Sequence, residues 1–320
     1  MKKIIILLAL ISLTNCSKEN IQNSDTISGR VIIFHAGSLS LPFKEIIEEF
    51  NVLHPDLEIL TEIAGSRACA RKISELNKPC DVFASADYTV INNLLIPEHA
   101  EWNIKFVTNE MAIVFHDESK YSDEITADNW YQILQKDDAV FARSNPDADP
   151  CGYRTVLTIK LAEKYYGQTD LSEILLEKNL EYIRPKETDL LALLEVNEID
   201  YIFLYKSVAL QHGLRFINLP DQVNLRTPQF ADLYSTVSVD LSGTKPGEII
   251  TKFGEPMVYG ITIPKSSPNQ DAALAFVSFV LSTENGMKIL EENGQPGIVP
   301  AVSETYDSIP EALKHYVLGY

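Results

Sequence analysis

The sequence predicts a two-lobed α/β protein, each lobe a mainly parallel sheet flanked by helices, with two crossing strands joining the lobes. Short β-rich apolar runs alternate with segments of helical spacing along most of the chain. Turns that hold glycine and serine separate the first of these pairs. One apolar run leads away from the first group of strands and a later one returns. Such alternation builds parallel sheets with covered faces, and at 320 residues the chain is long enough for two domains.

Arg30 to Phe34 reads as the first strand. Leu41, Phe43, Ile46, Ile47 and Phe50 then recur at helical spacing, with Lys44, Glu45, Glu48 and Glu49 on the opposite face. Leu57 to Ile63, a helix over Arg67 to Leu76, and the strand Asp81 to Ala84 continue the pattern. Asn109 to Phe115 is the outgoing crossing strand. A helix over Trp130 to Leu134, a strand over Val140 to Arg143, a helix over Thr155 to Tyr166, a helix over Asp189 to Val196 and a strand over Tyr201 to Tyr205 follow. The stretch Leu219 to Gly254, rich in proline, glycine and polar residues, is expected to be the least regular. Met257 to Ile263 is the returning strand, and Pro264 stops it. Ala272 to Leu281 and Glu284 to Glu292 read as terminal helices. The expected organisation is residues 29–110 with 256–320 as the first lobe and 111–255 as the second. Ligand sites favour such interdomain clefts.

Lys2 and Lys3 precede the apolar run Ile4 to Leu13, which has the length of a signal-peptide core and is too short to span a bilayer. Leu13, Thr14, Asn15 and Cys16 follow in the manner of a lipoprotein processing site, although a smaller residue than Asn15 is usual before the cysteine. The expectation is that residues 1–15 are removed, that Cys16 is lipidated, and that residues 16–28 form a polar tether. The chain is then exported and held at the outer face of a bacterial cell membrane. The formal net charge of −18 argues against nucleic acid or an anionic membrane face as a partner. It does not argue against a small anion, since local donors set a site and distant surface charge is screened. Cys69, Cys80 and Cys151 lack zinc-ligand spacing. Export permits one disulfide among them.

Three turns offer free N–H groups at helix N-termini: Ala36-Gly37-Ser38, Ala64-Gly65-Ser66, and Asp149 to Gly152. Glycine allows close backbone approach, and serine adds a hydroxyl. Each serine could equally be an ordinary helix cap, as could Asp149 ahead of Pro150, and Glu187 could be a first-turn acid of the helix after it. A tetrahedral oxyanion without protons accepts hydrogen bonds only, so a site for it should be lined by donors.

These turns resemble the tungstate/molybdate-binding proteins of the WtpA and ModA type. The resemblance runs in order from about Arg30 to the C-terminus. It rests on His35 to Ser40, on Gly65-Ser66 with Ala68, Cys69 and Arg71 to Ile73, on Ala86-Asp87, and on Arg143 to Arg154 (Arg-Ser-Asn-Pro-Asp-Ala-Asp-Pro-Cys-Gly-Tyr-Arg). Ile183 to Asp189, Asp200-Tyr201, Tyr205 to Ala209 and Tyr259 to Pro264 complete it. It implies the two-lobed periplasmic binding protein fold of type II and delivery of the anion to the membrane permease of an ABC transporter. It implies no catalysis, no cofactor and a monomer. Carried over by motif, the ligand contacts are Gly37, Ser38, Ser66, Asp149, Pro150, Cys151, Glu187 and Tyr205, with Cys151 acting through its backbone N–H. A carboxylate beside a dianion repels it by roughly 4 kcal/mol at 4 Å for an effective dielectric near 20. The resemblance implies that Asp149 and Glu187 instead ligate the tungsten or molybdenum and raise its coordination from four oxygens to six. Sulfur does not accept that geometry, so the same pair disfavours sulfate. Other expectations weighed against this are a sulfate or ferric-ion carrier, a sensor that presents the anion to a receptor, and a hydrolase using Cys151 as nucleophile. Arg154 and Arg184 are expected either to orient the carboxylates or to form ordinary ion pairs.

Overall fold

The computed structural model describes residues 27–319 apart from residues 244 and 246. The expected signal peptide and Cys16 lie outside the described residues. The chain opens with β1 (Gly29–His35), α1 (Ser40–Leu53), β2 (Leu57–Ile63), α2 (Ser66–Ser74), β3 (Val82–Ser85), α3 (Tyr88–Leu94) and β4 (Ile104–Thr108). Then come β5 (Met111–Phe115), α4 (Trp130–Gln135), β6 (Phe141–Ser144), α5 (Pro150–Tyr166), α6 (Leu171–Glu177), β7 (Ile183–Arg184), α7 (Asp189–Glu195), β8 (Tyr201–Tyr205), α8 (Lys206–Gln211) and β9 (Arg215–Asn218). After α9 (Ala231–Tyr234), the strands β10 (Ser238–Ser242) and β11 (Ile249–Phe253) form an antiparallel hairpin. β12 (Val258–Thr262), α10 (Gln270–Leu281), α11 (Gly286–Glu292) and the short parallel pair β13 (Ala301–Val302) and β14 (Val317–Leu318) complete the chain.

Two five-stranded sheets result, in the orders β2-β1-β3-β12-β4 and β7-β6-β8-β5-β9. In each, one strand runs against the others: β12 in the first and β5 in the second. The runs expected to cross between lobes therefore do not span a gap themselves. β5 lies wholly in the second sheet and β12 wholly in the first, and the crossings are the connections 109–110 and 254–257. The segment after β9 stitches them together, since the Met111 N–H donates to the Asn224 carbonyl at 2.9 Å and the Met257 N–H to the Leu225 carbonyl at 2.8 Å. Leu225 is buried with φ +60°, a costly backbone state for a bulky residue.

Two further expectations need correction. The stretch 219–254 is not merely irregular, because it contains the β10–β11 hairpin. Its strands are short, half exposed and interrupted by Asp240 and Lys252, so they carry little periodic signal. The helix expected from Tyr153 or Thr155 begins at Pro150 instead. Proline fits the first helical position because no N–H is needed there, and Gly167 ends the helix with φ +62°. Cys69, Cys80 and Cys151 are free and buried. No single helix among the described residues is long and apolar enough to cross a membrane.

Apolar side chains lock each layer. Phe50 of α1 packs edge-on against Phe276 and Phe279 of α10, with centroids 5.3 Å away in both cases. Phe203, at the centre of β8, meets Trp130 of α4 at 5.8 Å and Phe141 of β6 at 5.7 Å. All three are essentially fully buried. Truncation there opens a cavity that rigid neighbouring strands cannot close. Phe203→Ala is accordingly expected to lower the unfolding free energy by about 3–5 kcal/mol, measured by urea denaturation.

Candidate functional site

Residues that follow β1 and β3 of the first sheet meet residues that follow β6, β7 and β8 of the second. At the end of β1, Ala36 leads into a single 3-10 turn, Gly37–Leu39, that runs directly into α1. Ser38 is thus no side-chain cap. Its backbone N–H donates to Glu187 Oε1 at 2.7 Å, and its Oγ meets the Tyr259 hydroxyl at 2.9 Å. A Cβ on Gly37 would sit 2.9 Å from Glu187 Oε1, so only glycine lets that carboxyl in. Ser66 opens α2, again without capping it, and its Oγ accepts the Ala86 N–H at 2.9 Å. The Ser66 hydroxyl hydrogen is thereby left to point elsewhere. A Cβ on Gly65 would stand 2.4 Å from the Ala148 carbonyl oxygen, which itself accepts the Ala68 N–H at 3.1 Å. The second and third donor turns therefore touch.

Asp149 does cap α5, since its Oδ1 accepts the Cys151 N–H at 3.1 Å. Its Oδ2 accepts the N–H of Glu187 at 2.8 Å. Glu187 lies in the turn before α7 and not in its first turn. One of its oxygens is held by Ser38; the other, Oε2, is buried and takes no N–H or hydroxyl donor, while the two carboxyls bond each other. The two acids that the sequence singled out thus meet at one point. The Ser38 and Cys151 N–H groups, expected to face an anion, are engaged by these acids. Pro150 holds the first helical position and offers no N–H.

Both acids are inaccessible to solvent. Burial raises the Asp149 carboxyl, with part of the effect offset by its hydrogen bonds, and pushes Glu187 well above the usual carboxylate range, with the neighbouring Asp149 charge adding to it. Both shifts favour the protonated acid, that of Glu187 more strongly. Burial also raises the Cys151 thiol far above its ordinary value, and both acids reinforce this. A protonated thiol whose Sγ lies 3.6 Å from the Phe203 carbonyl is a packing group and not an activated nucleophile. His35 is buried, and burial pushes its ring down to about 4, so it brings no charge.

Tyr205 ends β8 with its ring fully buried. Arg154 of α5 donates to the Tyr205 hydroxyl at 2.9 Å and to the Ala86 carbonyl at 2.6 Å. Because arginine only donates, the phenol oxygen accepts and its own hydrogen is directed to another acceptor. Arg154 also lies 3.7 Å from Asp87, which Lys252 of β11 approaches to 2.9 Å and Tyr153 hydrogen-bonds. Burial alone would raise Asp87, but Lys252 and Arg154 hold it well below its ordinary range. Arg184 takes no part: it donates to the carbonyls of Glu181 and Ile183. Sequence reasoning missed Asp87, Asn109, Lys252 and Tyr259 as neighbours of the site. Asp87 and Tyr259 lay inside matching motifs but carried no signal of their role, because their partners are more than 60 residues away.

Residues 31–295 match the family described as bacterial extracellular solute-binding protein. A protein of Petrotoga mobilis named as an uncharacterized solute-binding protein is 48% identical over 300 residues, covering 92% of each chain. The molybdate/tungstate-binding protein WtpA of Thermococcus kodakarensis is 39% identical over 343 residues, covering 98% of this chain and 94% of its own. The solved periplasmic molybdate-binding protein of Azotobacter vinelandii shares the fold, with a TM-score of 0.60 at 15% identity over 83% of this chain and 98% of that one.

The buried acid pair has a stability signature. Its folded pKa values lie above those of unfolded carboxylates. Its contribution to stability is therefore full at low pH and is lost as pH rises through the raised values. Without ligand, Glu187→Gln should melt higher than the parent at pH 8, by at least about 3 °C, and the gap should shrink towards pH 4. Thermal melts across that range check both points.

Proposed function

Because the chain belongs to the bacterial extracellular solute-binding proteins, we propose that it serves an ABC transporter by capturing tungstate or molybdate between its two sheets. The observation that carries this reading is the meeting of Asp149 and Glu187 in the protein interior, with Glu187 Oε2 taking no N–H or hydroxyl donor, beside the hydroxyls of Ser38, Ser66 and Tyr205. Hydroxyl donors alone would suit any dianion. Two buried acids would repel one, unless they bind its central atom directly and complete six oxygen ligands around it. Tungsten and molybdenum accept that; sulfur does not. The molybdate/tungstate-binding relative from Thermococcus kodakarensis agrees in its ligand class.

In this reading Gly37 and Gly65 permit close approach, and Ser38, Ser66 and Tyr205 donate to the anion's oxygens. Asp149 and Glu187 ligate the metal atom, and Pro150 and Cys151 form the wall behind them, with the Cys151 N–H holding Asp149 in place. Residues 29–110 with 256–320 form one lobe and 111–255 the other, turning about the connections at 109–110 and 254–257. Cys16 carries the lipid that keeps the protein beside its permease, and one copy of the chain suffices for binding. The raised thiol of Cys151 and its engagement with Phe203 speak against a hydrolase.

Isothermal titration of the mature chain should show tight one-to-one binding of tungstate and molybdate and none of sulfate; sulfate binding of similar strength would sink the six-coordinate arrangement. Acids must lose their proton before they ligate a metal. Tungstate uptake should therefore release up to one proton, read from titrations in buffers of different ionisation enthalpy. Glu187→Gln should abolish that release and weaken tungstate binding at least about tenfold.

A further inference from the structure

Hydroxyl groups can accept or donate, and an anion site works only if they donate. The structure contains a chain of hydrogen bonds that settles the direction for Ser38. It starts at Asn109, in the connection between β4 and β5. The Asn109 Oδ1 accepts the Glu110 N–H at 3.0 Å and the Ser207 N–H at 3.4 Å, which fixes the orientation of the amide. Its Nδ2 then faces two hydroxyls, Ser207 Oγ at 2.7 Å and the Tyr259 hydroxyl at 3.0 Å. An amide nitrogen has two hydrogens and accepts nothing, so both are consumed. The Tyr259 oxygen accepts from Asn109, and its own buried hydrogen, which needs an acceptor, has Ser38 Oγ at 2.9 Å as the neighbour that can take it. Ser38 Oγ then accepts, and its hydrogen is left over. No other partner of Ser38 Oγ occurs among the described residues.

We infer that Asn109 and Tyr259 are positioning residues that hold the Ser38 hydroxyl as a one-way donor to the captured anion. This rests on the proposed anion-trap reading of the site. Three facts besides hydrogen counting support it. Tyr259 is fully buried on β12, so no water competes for its oxygen. Burial raises its hydroxyl further above the ordinary range, so the proton the relay needs is present. The relay also begins in the first crossing and passes through the strand that follows the second, with Ser207 of α8 bonded at its origin. Neither residue touches the anion; both act through Ser38.

A double-mutant cycle on tungstate affinity tests this. Tyr259→Phe keeps the ring, which packs edge-on against Phe106 at 6.2 Å, and removes only the hydroxyl. In the parent chain it should weaken tungstate binding about tenfold. In a Ser38→Ala background the same change should alter affinity by less than about twofold, because the group it aims is gone. A merely structural tyrosine would cost the same in both backgrounds, and that outcome overturns the inference. So does an unchanged affinity for Tyr259→Phe alone. Failure of the parent chain to bind tungstate overturns the anion-trap reading and the inference with it; parent binding with an additive cycle overturns the inference alone. Asn109→Ala, run through the same cycle, gives the same discrimination should the Tyr259 variant fold poorly.

Discussion

Asp149 and Glu187 lie against each other in the buried interior, and most of the architecture around them answers that fact. An isolated buried carboxylate is unstable unless hydrogen bonds or charges compensate it, and two at one point are worse. The chain responds with backbone N–H groups drawn from three distant stretches. Cys151 N–H serves one oxygen of Asp149 and Glu187 N–H the other, while Ser38 N–H serves Glu187. Only turns at strand ends can bring such groups together, since N–H groups inside a sheet or helix are already committed. The turns that follow β1 in the first sheet and β6 and β7 in the second supply them.

Positive charge is kept one layer further out. Arg154 and Lys252 converge on Asp87, so a single buried acid is faced by two cations. The cluster joins α5 and the β10–β11 hairpin to the segment after β3, and it links residues attached to both sheets. Arg67 strengthens the same junction by donating to the carbonyls of Asp147 and Ser242. Removing one partner from such a cluster strands a buried charge, at a far greater cost than breaking an exposed ion pair such as Arg30 with Glu58.

The alternation of strands and helices was readable because core positions in α1, β1 and β8 follow simple periodicities, and those elements appear close to where periodicity puts them. The helix at Pro150 was placed too late because the motif before it reads as loop, whereas Asp149 and proline together are a start signal. The hairpin at Ser238 to Phe253 escaped notice because its strands are half exposed and carry charges. At the site, glycine and serine turns were visible as donors, and the acids were conspicuous for being the wrong charge. That the acids meet was implied only by a family motif. That Ser38 is aimed by Tyr259, 221 residues away, has no trace in local pattern, because hydrogen-bond direction is a property of three-dimensional neighbours.

Gly65 gives the closed arrangement a mechanical limit. With its missing side chain placed 2.4 Å from the Ala148 oxygen, the backbones on the two sides approach as nearly as atoms allow. A methyl group there would act as a doorstop, leaving the packing within each sheet untouched while holding the halves slightly apart. Its effect would be felt in dwell time: a trap that cannot shut fully admits its cargo as fast as before and lets it leave sooner. The missing side chain of Gly65 thus lets these two backbones meet.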